Sequence, residues 1–405
     1  MSTSLLYHAF GAINYNHMRT EYLGGKVIFS LAKKPEKQRC AVCKSRKVTR
    51  EGGRDYQWQT VPIGSKPVIL KVHLKRLLCW ACGAKRQELR ELAEPRKSYT
   101  RQLARYVLEL SECMTLADIA AHLKLDWHLV HDIVKSSLER KEKRRSWRGV
   151  SMIAIDEISV RKGHRYMTVV VDLETGQVLD VVEGRKTECL EPVFKRLKRA
   201  GAKLKAVAMD MSPAFRKAVR NYAPKEVVIV HDPFHVVQAV NRATDQVRKM
   251  EQARLDPTDK KYIKGNRFLL LKGWENLEAD EQKVNRLEQM LGANENLYRA
   301  YLLKEDLRLF WSQDNKVAAE RFLQIWIEEA RCFGLKPFKT LAKTLNKRKD
   351  ELLAWYDFPI TNGPLEGLNN KIKVLKRRAY GYRNMKSFRL RILFIHETTF
   401  RLTGT

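Results

Sequence analysis

From residue 151 onward, apolar positions come in short blocks cut by turn residues. Residues 151–160 form one block, Lys162-Gly163 offers a turn, and 165–173 forms a second. Glu174-Thr175-Gly176 turns the chain again into 178–182. Three such runs with tight connections predict an antiparallel meander. A helix at about 190–200, a strand over 204–209, a helix over 213–222 and a strand over 226–230 follow. Residues 241–355 then carry helical periodicity almost throughout, with Trp274, Trp311, Trp326 and Trp355 as expected core anchors. Upstream, Val68, Leu70, Val72 and Leu74 alternate with Ile69, Lys71, His73 and Lys75. Period two puts Lys71 and Lys75 on one basic face of a strand. A second strand is expected over 56–63, and helices over 98–140. Residues 1–36 are weakly patterned, an arm or a short hairpin, and 141–150 form a charged linker.

The order β-β-β-α-β-α-β is that of a ribonuclease H-like core, so the expected class is α/β with a helical insertion at about 241–355. The domain boundaries expected are an arm (1–36), a cysteine module (37–90), a helical module (91–140), the linker (141–150) and the α/β domain (151–405). Composition fits a globular chain, with 44% hydrophobic residues among 405. Charge changes the picture more: 78 Lys+Arg oppose 46 Asp+Glu, net +32. Residues 1–150 hold 30 basic against 14 acidic side chains, half of that excess. Such a field attracts polyanions, with nucleic acid the first partner to consider. No apolar run approaches the ~20 residues of a membrane helix, and no signal peptide is evident at the N-terminus.

Four of the seven cysteines form two pairs, Cys40-x-x-Cys43 and Cys79-x-x-Cys82. Two knuckles of that spacing complete a tetrahedral shell for one structural Zn²⁺ and read as a zinc ribbon. The bland reading is coincidence or a redox pair. Residues 115–135 read as a helix-turn-helix. Thr115 and Asp118 match a capping box, and Asp126 caps a second helix. That helix would present Trp127, His128, His131, Asp132 and Lys135 to a DNA groove. An ordinary packed helix pair has the same period.

Three carboxylates sit where they could converge. Asp156 follows Met152-Ile153-Ala154-Ile155, and its neighbour Glu157 points to the opposite face, so parity alone does not choose between them. Asp210 closes the 204–209 run. Asp232 and His235, in His231-Asp232-Pro233-Phe234-His235, are second-tier candidates beside it. Glu366 opens a basic helix, where it also suits an N-terminal cap. Asn370, Lys373 and Arg377 follow it on one helical stripe, which fits metal plus phosphate backbone.

Ile155-Asp156-Glu157, Arg161-Lys162-Gly163-His164-x-Tyr166 and Ala208-Met209-Asp210-Met211-Ser212 together resemble the DDE transposases of the bacterial insertion-sequence ISL3 family. The match continues through Asp232-x-Phe234-His235 and Thr361-Asn362-Gly363-x-x-Glu366-Gly367-x-Asn369. It ends on Lys371, Lys373 and Arg377-Arg378-Ala379-x-Gly381-Tyr382-Arg383-Asn384. The 155 residues between Asp210 and Glu366 accommodate the family's helical insertion. The resemblance implies that Asp156, Asp210 and Glu366 hold two Mg²⁺ or Mn²⁺ for cleavage and strand transfer at terminal inverted repeats. It also implies a homodimer or larger assembly on double-stranded DNA, in a bacterial cytoplasm and nucleoid. The charge leaves a guide or partner RNA open. A structure-selective nuclease and a non-catalytic DNA-binding repressor are the alternatives.

Overall fold

The computed structural model describes residues 3–161, 165–256, 260, 263–361 and 363–395. The turn expected at Lys162-Gly163, and His164 and Asn362 of the matched motifs, lie outside them. The architecture is mixed α/β, in two compact units. One is Met1–Arg145 with Lys376–Leu390, the other Ser146–Leu375 with Arg391–Thr405. No helix among the described residues is long and apolar enough to cross a membrane.

In the first unit a helix, Thr3–Phe10, precedes β1 (Tyr15–Leu23), β2 (Lys26–Lys33), β3 (Val48–Ile63), β4 (Lys66–Cys79) and β5 (Lys85–Gln87). They form a sheet in the order β1-β2-β4-β3, with β5 also on β4. The alternation seen in the sequence is real: Val68, Leu70, Val72 and Leu74 are fully buried, whereas Lys71 and Lys75 are half-buried and His73 exposed. The buried face packs against Leu6 and Phe10 of the first helix and against Trp58. Residues 1–36, expected as an arm or a hairpin, contain a hairpin whose second strand runs parallel to β4, Val27 opposite Val68. The sheet therefore crosses the boundary expected at 36/37.

Helices Arg101–Cys113, Leu116–Leu123 and Trp127–Arg144 follow. The Thr115–Asp118 capping box forms, Lys124 turns the chain in a left-handed conformation, and Asp126 accepts the amides of His128 and Leu129. Each detail is local, which is why the residue pattern foretold it.

The second unit is built on β6 (Met152–Arg161), β7 (Arg165–Asp172), β8 (Val178–Glu183), β9 (Ala206–Met209) and β10 (Val228–His231). Their order is β10-β9-β6-β7-β8. The meander β6-β7-β8 is antiparallel, while β9 and β10 run parallel to β6. Helices Glu191–Arg199 and Pro213–Tyr222 bury Phe194, Leu197 and Phe215 with Trp147 against one sheet face. Ala354, with Trp355 and Phe358, covers Ala206 and Val230.

The helical region begins with Pro233–Arg254, earlier than position 241, and has its own core around Val240, Val247, Phe310, Trp326 and Phe338. Trp326 is fully buried and donates its indole N–H to the Leu303 carbonyl. Trp311 and Trp355 are partly buried. Trp274 is not an anchor: it is 42% exposed in a short 3₁₀ turn, and Leu277 takes the buried place beside it.

His231, at the end of β10, is fully buried. Burial disfavours its charged form and brings the imidazole down to about 4. A depressed folded value means that unfolding takes up a proton between about 6.5 and 4. Stability is therefore complete above 6.5 and falls as pH drops through that window, by about 3 kcal/mol in all. Urea unfolding at pH 7 and pH 4.5 should show this loss, and His231→Phe should flatten that part of it.

Candidate active site

Register places the carboxylates. On the parallel strands Ile155 lies opposite Met209, and Met209 opposite His231. The next residue of each strand is acidic: Asp156, Asp210 and Asp232. All three therefore stand side by side, Asp156 in the middle of the longer β6 and Asp210 and Asp232 just past the carboxyl ends of β9 and β10, the side on which open α/β sheets place their ligands.

Each carboxylate is held by groups of the same unit. Asp210 Oδ1 accepts the Ser212 amide at 3.0 Å. Burial pushes the Asp210 carboxyl above its ordinary range, the Ser212 amide and His235 oppose this, and the Asp156 charge adds to it. Arg242 also feels Asp210 and pulls its carboxyl back down. Asp232 is buried, with His235 Nε2 3.8 Å from its Oδ2. Glu157 is raised by burial, with Arg185 3.8 Å away opposing the shift.

Glu366 lies in the first turn of helix Gly363–Arg378. Leu365, Leu368 and Ile372 bury the opposite stripe, leaving Glu366, Asn370, Lys373 and Arg377 exposed. One turn after Glu366, Asn369 donates from Nδ2 to Asp156 Oδ2 at 2.7 Å. That bond ties the helix of Glu366 to the strand of Asp156. Asn369 lies within the matched motif, outside the site residues expected from the sequence. Its i, i+3 spacing from Glu366 was the available signal.

The cysteines converge more tightly. Among the described residues, theirs is the one group whose ligand atoms all lie within 4.8 Å of one another. Cys40 Sγ lies 3.7 Å from Cys82 Sγ, and Cys43 Sγ 3.5 Å from Cys79 Sγ. A tetrahedral ion with sulfur at about 2.3 Å sets its ligands ~3.8 Å apart, so the cradle fits. The amides of Cys43 and Val42 aim at Cys40 and draw its thiol down to about 6. Lys44 and Gly83, each following a second cysteine, both take positive φ and return their N–H to the carbonyl of the first.

The face expected to read DNA is only partly open. Trp127 and His128 are exposed. His131 instead stacks on Trp127 and lies within 3.0 Å of the Ser387 hydroxyl. Asp132 pairs with Lys97 at 2.6 Å. Glu139 and Glu142 continue the His131 stripe and bind Lys386 and Arg389. Lys135, half-buried, lies along it. The stripe of His131 and Lys135 is thus occupied by the returning segment around 385–390, within the same unit.

Acidic side chains at a sheet's carboxyl edge, beside a helix of exposed cations, can hold divalent ions against a phosphodiester. The chain belongs to the transposase family ISL3: the DDE transposase model of that family matches residues 153–392. The helix-turn-helix domain of transposase family ISL3 matches residues 89–137. The transposase for insertion sequence element IS1001 of Bordetella parapertussis is 35% identical over 336 residues, 82% of each chain. That for IS1557 of Mycobacterium tuberculosis is 27% identical, over 81% of this chain and 78% of the relative. Among solved structures, the Drosophila P element transposase strand transfer complex aligns with a TM-score of 0.43 and 12% identity. It covers 75% of this chain and 93% of that one.

Replacing Asn369 by Leu removes the hydrogen bond from this helix to Asp156 Oδ2. It should lower stability by about 1 kcal/mol, read as an earlier urea midpoint, and Asn369→Gln should recover part of the loss.

Proposed function

We propose that this protein is an insertion-sequence transposase that cuts the ends of its element and joins them to target DNA. The observation that carries this is the strand register that aligns Asp156 with Asp210, with the helix of Glu366 tied to Asp156 through Asn369. The strand order β10-β9-β6-β7-β8, with a helical region between Asp210 and Glu366, supports reading the unit as a ribonuclease H-like core. Asp156, Asp210 and Glu366 would hold two Mg²⁺ or Mn²⁺, with Asp232 and His235 beside them. Divalent ions held there would supply Lewis-acid polarisation of the phosphoryl group and charge stabilisation of the attacking and leaving oxygens.

The protein's own part is positioning. In the first step a water oxygen attacks phosphorus at the element end, the P–O3′ bond breaks, and a 3′-hydroxyl is released. In the second, that hydroxyl attacks a target phosphodiester and displaces the target's 3′-oxygen. No protein side chain becomes bonded to DNA. Asn369 fixes the orientation of Asp156, while Asn370, Lys373 and Arg377 offer donors to the strand backbone. Cys40, Cys43, Cys79 and Cys82 would hold one Zn²⁺. The sheet face of Lys71 and Lys75, with Trp127 and His128, would bind the terminal inverted repeats. Two ends must be held together, so a dimer or larger assembly on DNA is expected, in a bacterial cytoplasm.

The test is strand transfer by purified protein on a duplex of the element's terminal repeat with Mg²⁺ or Mn²⁺. Asp156→Asn, Asp210→Asn and Glu366→Gln should each lower joining by roughly a hundredfold or more while leaving binding intact. Cleavage without joining would identify a nuclease, and binding without either a repressor. Metal analysis should return one zinc per chain, and Cys79→Ser should lose it and lower the melting temperature.

A further inference from the structure

Helices Pro233–Arg254 and Lys336–Lys347 of the second unit border a cleft of about 590 Å³. Its apolar lining includes Met211, Ala239, Met250 and Leu341. Met211 immediately follows Asp210, the middle one of the three aspartates, so the cleft lies next to the row of carboxylates. The polar lining comprises Arg242, Gln246 and Lys249 on one helix and Lys336, Thr340 and Thr344 on the other, and no acidic residue contributes. Lys249 is paired with Asp245 at 3.2 Å. Arg242 bonds the neutral Gln238 side chain, and Arg242 and Lys336 have no carboxylate within 4 Å among the described residues. The volume is that of a ligand site.

This combination selects an occupant. The backbone of a duplex needs cations on an open surface and makes no use of an apolar hollow. An unpaired nucleotide needs both: an apolar bed for a base taken out of its stack, and cations for its phosphate. Methionine side chains adapt to a base of any shape.

We propose that this cleft receives unpaired nucleotides of the DNA strand adjoining the bond cut at the carboxylates. The inference rests on the transposase reading above. Met211, which lines the cleft next to Asp210, would let a strand seated there run on to the reacting phosphate.

The test compares binding of the full-length protein, by fluorescence anisotropy, to a blunt terminal-repeat duplex and to the same duplex with a short unpaired extension at the cleaved end. The wild type should prefer the extended duplex. Thr340→Trp, at an exposed position, fills the cleft and should erase that preference, roughly fivefold or more, with blunt-duplex affinity unchanged. Lys336→Gln should reduce the salt slope for the extended duplex alone by about 0.7. A wild type without preference, or a Thr340→Trp variant that keeps it, would overturn the cleft assignment while blunt-duplex binding leaves the transposase reading standing. Failure of the wild type to bind either duplex would overturn both.

Discussion

The parallel pairing of β6, β9 and β10 is the constraint on which the site depends. Backbone hydrogen bonds hold Ile155, Met209 and His231 in one row, and the residue after each is an aspartate. A slip of one residue in any strand would turn its carboxylate to the opposite face. The apolar side chains that fix the register, Ile153, Val207 and Ile229 among them, are almost completely buried on one face. Packing of the core thus sets the positions of the charges. Burial raises the Asp210 carboxyl first, and repulsion from the Asp156 charge adds to it. What opposes that repulsion is local: the Ser212 amide, the Asn369 side chain, His235 and Arg242.

Much of this was legible in the residues. The two turns of the cysteine module, the caps at Thr115 and Asp126, and the strands around Asp156 and Asp210 are all written within a few residues. The choice between Asp156 and Glu157 was not. β6 is flanked on both edges, and Ile153, Ala154 and Ile155 are all fully buried. A strand covered on both faces has no polar side to reveal which way its acid points. Asn369 of a distant helix bonds Asp156, a contact that no local pattern foretells. The same limit hid the pairing of β2 with β4, a parallel contact between segments separated by a knuckle and a strand. Trp274 misled for another reason, since a large aromatic at helical spacing fits a core or a surface turn equally well.

The cleft beside Met211 was likewise invisible in the residue pattern. Its walls come from helices about ninety residues apart, each with the periodicity of an ordinary packed helix. Only their juxtaposition turns a row of alanines and methionines into an apolar bed and a few cations into its rim.

The occupied stripe of helix Trp127–Arg144 has a consequence for how the chain is made. The residues that bind it, Ser387, Lys386 and Arg389, leave the ribosome roughly 240 residues after that helix does, on the order of ten seconds or more at ordinary rates of synthesis. Throughout that interval His131, Glu139 and Glu142 face solvent or whatever else is near. The N-terminal unit is therefore finished only when the segment following the Glu366 helix has been translated, so its completion reports that the Glu366 helix has been made.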